Sequence, residues 1–279
     1  MTDKKYKIRK DLSIEFEGHT LYRIEALKNI SYDVDKGDIG GFVEDEYNLS
    51  RDFDCWIYND AKVFGEASIY NNAVILNNAI VKNHATVDGN SIICGNSIVD
   101  GYVHIRNNVT VCDNAQVLNT AYLFDDVVIR NNVIIKDDAF ICGHARIYGD
   151  VVVSNNAFIN GESCIQGNMQ ITDTNDVIVI GPIGPNNNYI TFINQEGIIY
   201  VSTESFFDTI EKFKQEVGSK YLEGLPNIQY YNAINYIERH FKDYNYYKTV
   251  QKIKNIPYFG LTEEERMLVQ EKEGGLNDW

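Results

Sequence analysis

Proline is scarce in this chain: four in 279 residues, which argues against long extended linkers and for continuous folded structure. No run of about eighteen apolar residues occurs, so no segment is expected to cross a membrane as a helix. Basic residues are outnumbered, 25 Lys and Arg against 40 Asp and Glu, for a net charge of -15. Nucleic acid and anionic membranes demand clustered Lys and Arg, so neither is expected as a partner. The charge leaves two readings, plain solubility or an acidic surface that meets a basic protein. The five cysteines, Cys55, Cys94, Cys112, Cys142 and Cys164, contain no Cys-x-x-Cys pair, and no His stands at zinc spacing, so no metal is expected. The odd count, with an opening Met1-Thr-Asp-Lys-Lys-Tyr6 that lacks the apolar core of a secretory signal, points to a reducing compartment, the cytoplasm. No Gly-x-Ser-x-Gly element and no P-loop occur, and no cofactor is expected.

What is present is a repeat. Residues 55–174 divide into twenty consecutive six-residue units without insertion, such as Ala61-Lys-Val-Phe-Gly-Glu66 and Ala73-Val-Ile-Leu-Asn-Asn78. The third position is Ile or Val throughout except Leu123, the first is small or β-branched with Met169 a late exception, and the fifth is always Asn, Gly or Asp. The period-two rule of strands sends positions one and three inward and two and four outward. Asn, Asp and Gly tolerate positive φ, so positions five and six make a corner. Stacking such units pairs the backbone between successive coils and leaves two apolar ends to be covered.

An aliphatic residue followed by a small one four positions later, repeated every six, resembles the hexapeptide repeat of left-handed parallel β-helices. That resemblance implies three units per triangular coil, six to seven coils in all, a prism on the order of 30 Å long at ~4.8 Å per coil, and a left-handed path. It also implies oligomers, commonly trimers, with dimers as the other expectation. Eighteen-residue spacing assigns the outward residues to faces. One carries Trp56 and Tyr58, another Tyr122, Phe124, Phe140 and Phe158, and the third alternates aliphatic residues with Lys62, Lys82, Asp100 and Lys136. An exposed apolar strip marks an interface: either the C-terminal region folds back on Tyr122, Phe124, Phe140 and Phe158 or, as the oligomers of the resemblance favour, a second subunit covers them, and with Trp56 and Tyr58 they are the candidate interface residues.

The flanks read differently. Residues 1–54 form a β cap, with strands Ser13–Glu17 and Thr20–Ala26 around Gly18-His19, then glycines at Lys36-Gly-Asp-Ile-Gly-Gly41 where the chain bends into the first coil. Residues 175–241 read as an α+β module: strands at 176–180, 189–193 and 197–202, a turn at Asn194–Gly197, and helices at 206–217 and 228–241. A helical tail fills 242–279, with helices near 246–253 and 263–273. The fold expected is thus mainly β, a left-handed parallel β-helix between an N-terminal β cap and a small C-terminal α+β and helical module. His19-Thr-Leu-Tyr-Arg-Ile24, Lys36–Gly41, Asn48-Leu-Ser50, Cys55-Trp56 and Ile180-Gly-Pro-Ile-Gly184 are similar to segments of hexapeptide-repeat proteins common in phages and prophages. Relatives there often carry two cysteines where this chain has Thr203-Glu-Ser205.

Three functions follow as expectations. The leading one is a non-enzymatic binding protein of phage or prophage origin, a rigid acidic scaffold that engages a host protein such as a defence factor. The second is acyltransfer, which the resemblance suggests, with His84 or His104 as general base. His84 and His144 fall at corners, where they substitute for Asn or Asp, and the repeat has no inserted loop to shape a pocket. The third is capture of a small ligand at Gly181-Pro-Ile-Gly-Pro-Asn-Asn-Asn188, with Gly181, Gly184, Asn186 and Asn187 as candidate binding residues, although Gly and Pro there serve first as turn residues.

Overall fold

A computed structural model describes residues 4–30, 33–221 and 224–254. Twenty short strands, from Trp56–Ile57 to Gln170–Ile171, form a parallel β-solenoid of about seven turns. Each strand pairs with the one eighteen residues on, as His104 with Tyr122 and Tyr122 with Phe140. The strands sort into three sheets of ten, seven and six, the ten-stranded one being lengthened by the N-terminal cap.

The hexapeptide chemistry explains the coil. Inward Ala61, Val63, Ala67 and Ile69 have no exposed surface, while outward Lys62 and Ser68 keep some. Nineteen of the twenty fifth positions have positive φ, ranging from 53° at Asn59 to 107° at Gly101. The one that does not, Asp173 at φ -146°, is where the solenoid stops: it caps a short 3-10 turn, Thr174–Asp176. Backbone N–H groups donate to the next coil, for example Ile92 to the Val109 carbonyl at 2.8 Å. Sixth-position side chains add ladders. Asn78, Asn96, Asn114 and Asn132 each donate to the residue one coil on, ending at Asp150, over 2.8–3.1 Å. Exposed amide bonds of this kind contribute about 0.5–1 kcal/mol each.

Both ends are covered. In the cap, strands Tyr6–Phe16 and His19–Ala26 pair antiparallel, and Ile39–Val43 joins them to the solenoid. The first strand is longer than the alternation predicts, because Tyr6 is buried and its hydroxyl donates to the Leu49 carbonyl at 2.8 Å. Gly40 and Gly41 are required by close approach: a Cβ on Gly41 would lie 2.4 Å from the Ile57 side chain. The fully buried Asn48 ties the cap to the first coil, donating to the Gly65 and Ala67 carbonyls at 3.0 and 2.8 Å.

At the other end lies a four-stranded antiparallel sheet, Val177–Ile183, Asn188–Gln195, Ile198–Ser202 and Phe207–Thr209. Its side chains alternate. Ile193, Tyr200 and Phe207 close the solenoid core, while Ile190, Phe192 and Val201 pack on helices α1 (Ile210–Lys220) and α2 (Leu225–Lys254). Two corrections to the sequence reading stand here. Phe207–Thr209 is a strand, so α1 starts later than 206. The helices expected at 228–241 and 246–253 are one, since no Pro or Gly interrupts Asn227–Lys254. The helix expected at 263–273 lies outside the described residues. No helix among the described residues is long and apolar enough to cross a membrane.

The cysteines add a second finding. Cys94 and Cys112, one coil apart at outward fourth positions, form a disulfide, with Cα atoms 4.6 Å apart. Cysteine count and spacing, which pointed to a reducing compartment, do not show this pair, because pairing depends on stacking rather than on a sequence motif. Cys55, Cys142 and Cys164 are free.

Candidate functional site

The coil register builds an aromatic column on the six-stranded face. His104, Tyr122, Phe140 and Phe158 occupy second positions of successive coils and are Cα neighbours. Tyr122 stacks at 6.2 Å on Phe140, and Phe140 meets Phe158 at 5.4 Å. Phe124, at the fourth position, stacks on Phe140 at 5.3 Å and Tyr122 at 6.1 Å. The four rings expected as an interface are thus one continuous patch. Phe158 is 40% exposed, the other three are half-buried, and among the described residues none of the four belongs to a hydrophobic core cluster. Corners on either side carry carboxylates: Asp125 and Asp126 follow Phe124, and Asp137 and Asp138 precede Phe140. The patch is an apolar strip with an acidic rim.

Trp56 and Tyr58 do not extend it. They lie on the seven-stranded face, and Trp56 is 1% exposed, sealed edge-on by Tyr6 with ring centroids 6.4 Å apart. Trp56 is therefore not an interface residue: the cap, whose route over this face the repeat does not encode, has taken it into the core. Tyr58 packs against the same core and its hydroxyl donates to Asp33 at 3.1 Å.

The histidines do not converge. His84 sits on a corner, its Nδ1 3.0 Å from Glu66, its ring stacked on Tyr102 at 4.2 Å. His104 stands on the aromatic face, between Thr86 and Tyr122 in register and stacked on Tyr122 at 5.1 Å. His144 lies 3.6 Å from both Asp126 and Glu162. Neither His84 nor His104 lines any of five clefts on the described surface. A general base needs a nucleophile within hydrogen-bond reach, and the rings of His84 and His104 each stack on a tyrosine of the next coil.

The Gly181–Asn188 segment divides in two. A Cβ on Gly181 would meet the Asn188 carbonyl at 2.8 Å, and one on Gly184 would meet the Tyr230 hydroxyl at 2.0 Å. Both glycines serve close packing, and the Gly184 N–H donates to Gln229 at 3.0 Å. Asn186 and Asn187, by contrast, line a polar cleft of about 330 Å³ with Arg146, Cys164 and Glu204. Sequence reasoning missed these last three residues: Arg146 and Glu204 are 58 positions apart, and only folding the module against the last coils joins them in an ion pair. Burial pushes the Cys164 thiol up, against a hydrogen bond with Ser202. Among the described residues no group of three or more His, Cys, Asp or Glu side chains is placed to hold a metal ion. Compared with models of known protein families and with curated proteins, the chain matches none.

Proposed function

We propose that this chain is a non-enzymatic binding protein, a left-handed hexapeptide-repeat scaffold of phage or prophage origin that engages a host protein, such as a defence factor, through the aromatic strip. The observation that supports this reading is the continuous stack of Tyr122, Phe124, Phe140 and Phe158 on a surface outside the core clusters of the described residues. A ring about 40% exposed, like Phe158, offers about 80 Å² of a side chain that buries about 200 Å² in full. With the half-buried rings the strip offers on the order of 200 Å², worth about 5 kcal/mol of transfer free energy when covered. That suits the centre of an interface, where a few aromatic anchors carry most of the energy. The rim of Asp125, Asp126 and Asp138 calls for a partner whose apolar centre is ringed by Lys or Arg, with charge setting approach rate and specificity.

The test compares wild-type protein with Phe140→Lys and with Asp125→Asn/Asp138→Asn in affinity capture from bacterial lysate. The expected result is a host protein retained by wild type, lost by Phe140→Lys, and weakened by the Asp variant in a salt-dependent way. A His84→Ala/His104→Ala variant is expected to retain it. Loss of function in the histidine variant alone would favour acyltransfer. An oligomer that Phe140→Lys turns into a monomer would make the strip a subunit contact instead.

A further inference from the structure

We propose that the cleft between the last coils and the Thr203–Ser205 bend binds a small organic carboxylate, with Arg146 as the residue that holds it and Glu204 as an internal occupant of the carboxylate position. The proposal stands apart from the aromatic strip, which lies on another face.

Four observations lead to it. First, Arg146 projects from a second position on the seven-stranded face, beside Cys164 in register, and its guanidinium already grips a carboxylate, that of Glu204. Guanidinium and carboxylate pair as matching forks, so what Glu204 does there a ligand carboxylate can do. Second, Glu204 is held loosely: its side chain is 77% exposed, and Arg146 is its ion-pair partner. An exposed pair of this type resists displacement by no more than about 1 kcal/mol, about fivefold in affinity. Third, a second guanidinium stands on the same face: Arg130 occupies the fourth position of the coil before Arg146, whose strand pairs with Val128–Ile129. Among the described residues no hydrogen bond or ion pair ties Arg130 to a carboxylate. Fourth, the walls carry groups for the rest of a polar ligand. Asn186, Asn187, Thr203 and Ser205 line the cleft, as does Glu162, which lies 3.6 Å from His144. The buried Cys164 lines the cleft as well. At about 330 Å³ the cleft has room for about ten waters at ~30 Å³ each, the size of a small dicarboxylate or amino acid.

Isothermal titration with succinate, L-glutamate and inorganic phosphate tests this on the full chain. Succinate or L-glutamate is expected to bind the wild type. Glu204→Gln is expected to tighten binding up to about fivefold, because it removes the internal competitor. Arg146→Gln should weaken binding by at least about tenfold, and Arg146→Lys, which keeps the charge and loses the fork, should fall between. Should Arg146→Gln fail to fold, by circular dichroism, the opposite shifts of Glu204→Gln and Arg146→Lys decide. Failure of both carboxylates to bind the Glu204→Gln variant, unchanged affinity in the Arg146 variants, or phosphate bound as tightly as the carboxylates would each overturn the assignment.

Discussion

Phe140 and Ile141 are neighbours on one two-residue strand and point to opposite sides of the coil, so replacing each by alanine separates core from surface. Ile141 has no exposed surface. Trimming it to Ala removes three carbons, about 2.4 kcal/mol of transfer free energy at ~0.8 kcal/mol per carbon. A coil closed above and below by other coils cannot collapse onto the gap, so a cavity term brings the cost to about 3–4 kcal/mol. Phe140 packs against rings of its own face, Phe124 at 5.3 Å, Phe158 at 5.4 Å and Tyr122 at 6.2 Å. Such pairs contribute about 0.5–1.5 kcal/mol when buried, and with this column half in solvent Phe140→Ala is expected to cost about 1 kcal/mol. Urea unfolding followed by far-ultraviolet circular dichroism measures both. Partner capture is expected to show the reverse order: Phe140→Ala loses the host protein, and Ile141→Ala keeps it while folded. If Phe140→Ala destabilises the chain as much as Ile141→Ala, something covers the strip and the reasoning that makes it a docking surface fails.

Three further outcomes are expected. A Cβ on Gly89, at φ +75°, would lie 2.4 Å from the Asn107 carbonyl oxygen, while Gly161, at φ +67°, has nothing within 4 Å. Gly89→Ala should therefore cost about 1–3 kcal/mol, whereas Gly161→Asn, which restores a common corner residue, should be near neutral in the same urea assay. Thiol titration of the denatured, non-reduced protein should find the three free cysteines, Cys55, Cys142 and Cys164, and five only after reduction. The Asn155 N–H, aided by the Asn119 amide, holds the Asp137 carboxylate below the usual range. A depressed folded-state pKa adds stability that is present above the unfolded value of about 3.9 and lost as pH falls through the folded one. The gap in melting temperature between wild type and Asp137→Asn should thus close between about pH 5 and pH 2, and a gap independent of pH would show that the carboxylate charge plays no part.

Much of the architecture is legible in the residues because it is local. Each hexad decides its own turn: an Asn, Asp or Gly at position five takes positive φ, and an Ile or Val two residues earlier turns inward. Asp173 shows how local this is, since it keeps the residue type but not the positive φ once the downstream hexads cease. The candidate sites were read unevenly for the same reason. Tyr122, Phe124, Phe140 and Phe158 come together by register alone, eighteen residues being one coil. Trp56 has the same kind of position and is buried, because Tyr6, fifty residues upstream, folds over it. Arg146, Cys164 and Glu204 carry no motif at all.

The sequence by itself determined the solenoid, its register, the ring stack and the carboxylate corners that flank it, since all of these follow from a six-residue pattern of side-chain direction and backbone φ. Only the tertiary structure decided which outward side chains stay outward. The cap and the C-terminal sheet are non-repeating segments whose docking depends on shape and burial over separations of tens of residues. They took Trp56 and Cys164 out of solvent, left Phe158 in it, and brought Glu204 to Arg146.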